Sequence, residues 1–362
     1  MQILELDNTY RSNFHLCKRK HFLTENLGLI PIRGSSALRY GSTWHAFVEG
    51  YYSHIKENGW TRDGEAIRRA AEYGAAIWKH ETEAYGQSFD ETDYRTLDNC
   101  AISFLEYCTE FQLDYNMLKV IETEQMFNFP MLVSNSEKKY FSNLANLDVH
   151  FTGRLDVQIE LSGMPWILEA KSTGQNISIQ CNRLHRSPQI IGYSYAGRHA
   201  LNFPAEGCLV SIHQLSSKRK KDGEWGKMTR NFQRPPHIFT DEDLEAWRES
   251  YLATCSELVE YQKKDIWPMQ FDSCYQFGRC QFANICERNE YLSKIRNDID
   301  EGYIPEGYLS VKKNFLDFST KRLIGKLKVE KANQAEVQGL AGKHSDGLLI
   351  FQDEASFTFT ED

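Results

Sequence analysis

Two acidic residues and a lysine occur close together in a segment whose alternation of apolar and polar residues is typical of β-strands. Asp156 and Glu169 lie on the two sides of a hairpin turn predicted at residues 162–163, so we expect them on neighbouring strands. Glu169 and Lys171 are two residues apart, and side chains with that spacing share one face of a strand. The three charged groups can therefore meet at one point of a sheet.

Such a meeting point would suit the hydrolysis of a phosphodiester. Two converging carboxylates repel each other, and a divalent cation such as Mg²⁺ or Mn²⁺ removes that repulsion by taking their oxygens as ligands. A lysine beside the ligands can stabilise a hydroxide or a phosphate oxygen. Together these are the groups of metal-assisted phosphodiester hydrolysis. The alternative is an ordinary Glu–Lys pair on a solvent-exposed face.

Two further sets of residues could complete the site. Gln189 and Tyr193 are four residues apart and would share one face of a helix predicted at residues 186–201, where they could hold a DNA backbone or orient the lysine. His45, on a helix predicted at residues 38–57, could be an additional ligand that favours Mn²⁺. The simpler explanation for Gln189 and Tyr193 is a helix with one aromatic residue packed on the sheet. For His45 it is an ordinary histidine of the core.

The nine cysteines divide into two groups. The first group lies in apolar or helical segments, where buried thiols are the simplest interpretation; it consists of Cys100, Cys108, Cys181, Cys208 and Cys255. In the second group, Cys274, Cys280 and Cys286 are six residues apart in an aromatic-rich stretch, which suggests metal ligation. With Cys17 as the fourth ligand, they could hold an iron–sulfur cluster that joins the N-terminal helix to the C-terminal region. Structural zinc and free thiols are the alternatives.

Composition and charge limit the class of protein. The chain has 362 residues, 41% hydrophobic and 25% charged, which is typical of a globular protein with one large core or two smaller domains. Its net charge of −8 differs from that of many nucleic-acid-binding proteins, although a local basic patch would serve an enzyme. We find no apolar stretch of membrane-spanning length and no signal-peptide pattern, so we expect a cytoplasmic protein without membrane contact.

The order of predicted elements indicates the fold. Strands are predicted at residues 119–133, 148–161, 165–172 and 207–215. The chain divides into a helical part at 1–118, a mixed part at 119–235, a long helix after Thr240 with the cysteine trio at 236–300, and an appendage of unknown role at 301–362. This order predicts an α/β fold with a central mixed sheet flanked by helices. The first helix is predicted at residues 12–26 with Ser12 as its N-cap.

Taken in order, these motifs resemble the PD-(D/E)xK nuclease superfamily, and above all its RecB/AddB-like branch of iron–sulfur exonucleases, which includes the CRISPR-associated exonucleases. The resemblance covers roughly residues 8–290 and rests on S-x₄-C, G-x₃-H, G-x-x-D, E-x-K, Q-x₃-Y and the cysteine trio. The motif residues before the trio are Ser12, Cys17, Gly41, His45, Gly153, Asp156, Glu169, Lys171, Gln189 and Tyr193. In one departure, Leu155 stands where the superfamily's name has proline. In another, the trio lacks the C-x-x-C of many members.

The resemblance implies a restriction-endonuclease-like core and a metal-dependent DNA exonuclease that acts on single strands or DNA ends. It implies that Mg²⁺ or Mn²⁺ is bound by His45, Asp156, Glu169 and the carbonyl of Ala170. It further implies that Lys171 is catalytic and that Gln189 and Tyr193 complete the site. A structural 4Fe–4S cluster would be held by Cys17, Cys274, Cys280 and Cys286.

Other features are compatible with more than one interpretation. The charged loop at residues 216–227 could bind a DNA backbone through Lys218, Arg219, Lys220 and Lys221, or it could be a solvated hairpin tip. A non-catalytic DNA-binding or assembly protein that retains the nuclease fold is the alternative function. A hydrolase of RNA or nucleotides with the same site is a third. Bacterial, archaeal and phage origins all fit.

Overall fold

A computed structural model describes residues 2–32, 34–61, 63–85, 89–90, 92–276, 278–288 and 292–310. The strands are β1 Gln2–Leu6, β2 Leu29–Pro31, β3 Leu118–Pro130, β4 Leu147–Leu161, β5 Met164–Thr173, β6 Gly207–Ser216, β7 Thr229–Gln233, β8 Pro236–Ile238 and β9 Tyr308–Ser310. Most of the predicted appendage, from residue 311 onwards, lies outside the described residues, including its two strand-like runs.

Along the sequence, helices precede the strand-rich region, interrupt it and follow it. They are α1 Asn8–Leu16, α2 Lys18–His21, α3 Ser36–Asn58, α4 Glu65–Tyr85, α5 Leu97–Glu110, α6 Asp114–Met117, α7 Glu137–Tyr140, α8 Ile177–Leu184, α9 Pro188–Ala200, α10 Asp241–Lys264, α11 Ala283–Glu287 and α12 Leu292–Asp300. A π-helical turn follows α2 at Phe22–Asn26. Across the described residues, we find no helix with the length and apolar character needed to cross a membrane.

The central sheet is mixed, and β4 is its organising strand. β3 runs antiparallel along one edge of β4. The other edge is shared: β1 pairs in parallel with residues 147–151, and β5 pairs antiparallel with residues 157–161. Between these two partners, residues 152–156 have no strand of the described chain beside them on that edge. β6 lies parallel to β5, and β7 and β8 pair with the far edge of β6.

Each face of the sheet is covered by helices, so the predicted α/β fold class is confirmed. On one face, β4 packs against α9 and α10 through Phe151, Trp247 and Tyr251, whose rings are in contact. On the other face, α3 and α5 contribute Trp44 and Phe104 to a second aromatic core. Large buried side chains on both faces exclude water from β6, from most of β5 and from residues 155–159 of β4. The site residues on the sheet are therefore held rigidly.

The helix termini follow local capping chemistry, with one difference from the prediction. Thr240 caps α10 as expected and forms a capping box with Asp243. The prediction that Ser12 caps the first helix is wrong, because Asp7 caps α1 by accepting a hydrogen bond from the Tyr10 amide at 2.6 Å. Ser12 lies inside the helix instead. Because α1 starts earlier than predicted, only Asp7 separates it from β1. The chain leaves β1 level with Phe151, where the unpaired residues 152–156 of β4 begin.

Candidate active site

The hairpin brings Asp156 and Glu169 to the point where β4 and β5 separate. The strands stay paired as far as Val157 and Leu168, so Asp156 and Glu169 are the next residues to face each other. Strand pairing stops there, and the Asp156 carboxylate accepts a hydrogen bond from the Ala170 amide at 2.9 Å. Both carboxylates are buried. They lie at one end of the open stretch on the β4 edge.

The amine of Lys171 lies at the same place. Its Nζ donates to Glu169 Oε1 at 2.6 Å. Burial alone would lower the pKa of Lys171, but the negative charges of Glu169 and Asp156 outweigh burial and raise it. The structure therefore brings together the three charged groups that the strand spacing predicted, with the amine held charged against a carboxylate.

His45 reaches this cluster from α3. Its Nδ1 lies 3.3 Å from Asp156 Oδ2. Burial lowers the pKa of His45, but the Asp156 carboxylate more than compensates, so the net direction is upward. Of the two explanations open at the sequence level, the structure thus shows the histidine beside the carboxylates and not isolated in the apolar core.

Gln189 and Tyr193 come from α9, where Gln189 bonds to the Glu169 carboxylate and to the Tyr193 hydroxyl. Gln189 Nε2 donates to Glu169 Oε1 at 3.1 Å and to the Tyr193 hydroxyl at 3.1 Å. Burial raises the pKa of Tyr193, and the negative charge of Glu169 adds to the effect. The phenol is therefore neutral, and the amide between it and Glu169 fixes the orientation of that carboxylate.

The pKa values of the two carboxyl groups shift in opposite directions, and one oxygen of Glu169 has no hydrogen-bond partner among the described residues. Burial and the charge of Asp156 raise the pKa of Glu169 to about 7. Burial acts in the same direction on Asp156, but His45 and Lys171 overcome it and lower that pKa below its usual range. Glu169 Oε2 is buried and has no hydrogen-bond partner in the described residues. A buried, unpaired carboxylate oxygen is costly, and a cation would remove that cost.

These donors fit a divalent cation by their chemistry. Carboxylate and carbonyl oxygens suit Mg²⁺ or Mn²⁺, and one imidazole suits Mn²⁺. In the part of the chain that the structure describes, no group of three or more His, Cys, Asp or Glu side chains is already arranged to hold a metal ion. The side chains instead satisfy one another through the hydrogen bonds given above.

Two charged residues beside the site were not found from the sequence. Arg154 Nη1 lies 2.5 Å from Glu124 Oε2, and burial leaves only 25% and 12% of the two side chains exposed. Arg154 precedes Asp156 by two residues, and the neighbours of Glu124 on β3 pair with Val157 and Leu155. The signal that could have found Arg154 is its place within the G-x-x-D motif. Glu124 carries no local sequence signal.

The four cysteines predicted as cluster ligands lie in one region. Cys17 Sγ accepts a hydrogen bond from the Gln270 amide at 3.4 Å, and Cys274 Sγ lies 3.8 Å from the Gln270 carbonyl. The Cys280 amide donates to the Cys274 carbonyl at 2.7 Å. Burial and the three other thiols raise the pKa of Cys286 to about 11. None of the nine cysteines, all of which lie in the described residues, forms a disulfide, and the cluster itself stays a prediction.

The charged loop at residues 216–227 forms a hairpin that follows β6. The Lys220 amide donates to the Glu224 carbonyl at 2.7 Å, and the Gly226 amide donates to the Lys218 carbonyl at 2.9 Å. Trp225 anchors it, with its ring centroid 4.7 Å from that of Tyr94. Because Lys171 is level with residue 212 of the parallel strand β6, the hairpin begins only a few residues beyond the level of the site.

Comparisons with known proteins bear on the family and the fold. A family model described as the PD-(D/E)XK nuclease superfamily matches residues 11–287. The crystal structure of the protein SSO0001 is 16% identical, with 69% of this chain and 96% of that chain covered at a TM-score of 0.27. A protein from Eubacterium rectale, provisionally named an exonuclease, is 13% identical, with 80% and 89% covered at a TM-score of 0.37. No curated protein matches the chain.

Proposed function

Because the chain belongs to the PD-(D/E)XK nuclease superfamily, we propose that it is a metal-dependent DNA exonuclease that hydrolyses phosphodiester bonds beside Asp156, Glu169 and Lys171. The observation that carries the proposal is the meeting of two buried carboxylates and a charged amine at the point where β4 and β5 separate. Among the described residues, Glu169 Oε2 has no hydrogen-bond partner. A bound cation would pair with that oxygen, and the charged amine would attract an anionic substrate.

The metal would be Mg²⁺ or Mn²⁺, held by His45, Asp156, Glu169 and the carbonyl of Ala170. When bound, it would supply a water of lowered pKa and a positive charge against the phosphate. The protein's own groups do the positioning. Lys171 holds a fixed positive charge next to Glu169, where a phosphate oxygen would carry developing negative charge. The strand geometry orients both acids before substrate arrives.

A DNA substrate with an end or a single-stranded segment is our proposal for the molecule cleaved. Lys218, Arg219, Lys220 and Lys221 lie on the hairpin that begins near the site, and they would contact the phosphate backbone. The chain as a whole carries a net charge of −8, so this local basic segment would have to supply the attraction. We propose that the enzyme acts in recombination, repair or DNA processing in the cytoplasm of a bacterial, archaeal or phage-infected cell.

The direct test is to incubate anaerobically purified protein with end-labelled single-stranded DNA, double-stranded DNA and RNA in the presence of Mn²⁺. We expect DNA to be shortened from its ends, giving a ladder of small products. Binding of DNA without cleavage under any metal condition would instead indicate an assembly or DNA-binding protein. Preferential degradation of RNA would instead identify RNA as the substrate.

Gln189→Ala should lower kcat/KM about 10- to 100-fold, because it removes the amide that orients Glu169 and links it to Tyr193. The apparent affinity for Mn²⁺ should fall with it, as measured by titrating the metal in the cleavage assay. Asn143→Ala is a matched control, since it also removes an amide donor, to the Ser256 carbonyl. Equal activity of the two variants would contradict an orienting role for Gln189.

We further propose that the chain belongs to the RecB/AddB-like branch and that Cys17, Cys274, Cys280 and Cys286 hold a 4Fe–4S cluster. Thiolates are the required ligands, and the proposal is supported by the contacts of Cys17 and Cys274 with Gln270 and by the bond from the Cys280 amide to the Cys274 carbonyl. The cluster would join α1 to the C-terminal region. Because all four positions of each iron would be filled, it would have a structural and not a catalytic role.

Protein purified anaerobically should be brown and contain about four iron atoms per chain, as a 4Fe–4S cluster requires. Cys280→Ala should lose both colour and iron and should unfold at a lower temperature. Cys100→Ala removes a buried thiol of α5 and should keep the iron. A colourless protein with stoichiometric zinc would contradict the assignment.

A further inference from the structure

Arg154 and Glu124 form an ion pair beside the carboxylates, and neither has a role in the function proposed above. Arg154 lies within residues 152–156, the stretch of β4 that has no strand of the described chain on its open edge. Its Nη1 is 2.5 Å from Glu124 Oε2, and a quarter of its side chain remains exposed. The guanidinium is therefore close to the site and still accessible from solvent.

The backbone of Glu124 is strained. Its φ is +54°, in the left-handed region that side-chain-bearing residues rarely adopt. The other described non-glycine residues with positive φ are Ser162, Asn202 and Asp265, and these lie in turns or at a helix end. Glu124 is the one inside a strand, between Thr123 and Gln125, which pair with Val157 and Leu155 on either side of Asp156. Strain of this kind persists only where the surroundings impose it, and it concentrates at functional sites.

Arg154 carries a positive charge near neutral pH, as a guanidinium does in any protein. It shares a face of β4 with Asp156, because the two residues are two positions apart. Lys171 contacts Glu169, whereas Arg154 lies near Asp156, so each carboxylate of the pair has its own nearby cation. A strand of nucleic acid crossing the site would present a series of phosphates, and one lysine can neutralise only one of them. A guanidinium binds phosphate through two parallel hydrogen bonds, which a lysine cannot do.

Building on the proposed function, we propose that Arg154 is a second substrate-binding cation that exchanges its ion pair with Glu124 for the phosphate next to the scissile one. Glu124 holds the guanidinium in place when no substrate is bound, and its strained backbone keeps that carboxylate beside Arg154. The contact would fix how far the strand advances into the site. Arg154 would therefore affect substrate binding and the rate of cleavage together.

The test measures binding of a fluorescent single-stranded DNA oligonucleotide in EDTA over a range of salt concentrations, and cleavage separately in Mn²⁺. Arg154→Met should make the slope of log affinity against log salt less steep by about 0.7, the loss of one phosphate contact to a single strand. It should lower kcat/KM about 10- to 100-fold. Arg154→Lys should keep the slope but recover only part of kcat/KM.

Two further variants separate a substrate contact from a structural role. Arg248→Met is the matched control, because Arg248 is paired with Glu137 on another part of the surface, and it should leave the slope unchanged. Glu124→Gln should tighten DNA binding, since it removes the competitor for Arg154. If Arg154→Met fails to fold, Glu124→Gln still tests the proposal. Weaker DNA binding by Glu124→Gln would mean that the ion pair only stabilises the strands.

The inference and the proposed function fail in different ways. Wild-type protein that cleaves no nucleic acid would overturn the nuclease proposal, while the salt slope in EDTA would still report on Arg154. Wild-type protein that cleaves DNA, together with an Arg154→Met variant of normal slope and rate, would overturn only the role given to Arg154.

Discussion

Asp156→Asn should abolish DNA cleavage, with kcat lowered by roughly 10³-fold or more, while the protein stays folded. The substitution keeps the size of the side chain but removes its negative charge. It removes an anionic oxygen ligand from the proposed metal site and the charged partner of His45. With the charge of Asp156 gone, one cause of the raised pKa of Glu169 also disappears, so the remaining carboxylate ionises more readily. Rates are measured on end-labelled DNA at saturating Mn²⁺.

The control for this variant is Asp148→Asn on the same strand. Asp148 lies eight residues earlier on β4, at the surface, with 44% of its side chain exposed and His150 as its neighbour. It should cleave DNA at the wild-type rate. Both variants should give the wild-type unfolding transition within a few degrees. An Asp156→Asn protein that digests DNA normally would place the chemistry elsewhere in the molecule.

The pairing of Asp156 with Glu169 could be predicted because the information is local. Alternation over residues 148–161 and 165–172, with a turn between them, leaves few possible registers, and one of these registers brings the two acids opposite each other. Gln189 and Tyr193 were likewise predictable as a helical pair from their spacing. The start of α10 directly after Thr240 was also predicted.

The opening at the site was not predictable, because it depends on residues far apart in the chain. β1 has only five residues and pairs in parallel with residues 147–151, and a short strand without a neighbouring hairpin gives little periodic signal. Because β1 pairs only with residues 147–151, residues 152–156 have no described strand beside them on that edge. The strained backbone of Glu124 depends on the same sheet, so its position beside Arg154 could be found only in three dimensions.

The largest loss of stability is expected from an ion pair on the face of the sheet covered by α3 and α5. Arg234 Nη1 donates to Asp114 at 2.7 Å and 3.0 Å, and Nη2 donates to the Tyr107 hydroxyl at 2.8 Å. The guanidinium also lies over the ring of Phe111 at 3.7 Å. Only 8% of the Arg234 side chain and 12% of the Asp114 side chain are exposed. The pair joins the link between β7 and β8 to α5 and α6.

Arg234→Met should lower the free energy of unfolding by about 3–5 kcal/mol, because it leaves the charge of Asp114 buried without a partner. Urea denaturation followed by circular dichroism measures the change. Arg234→Met combined with Asp114→Leu should recover part of the loss, since the unpaired charge is then absent. Lys79→Met, which breaks the exposed pair with Glu83, should cost less than about 0.5 kcal/mol. If Arg234→Met costs no more than this exposed control, the buried pair does not hold the helices to the sheet.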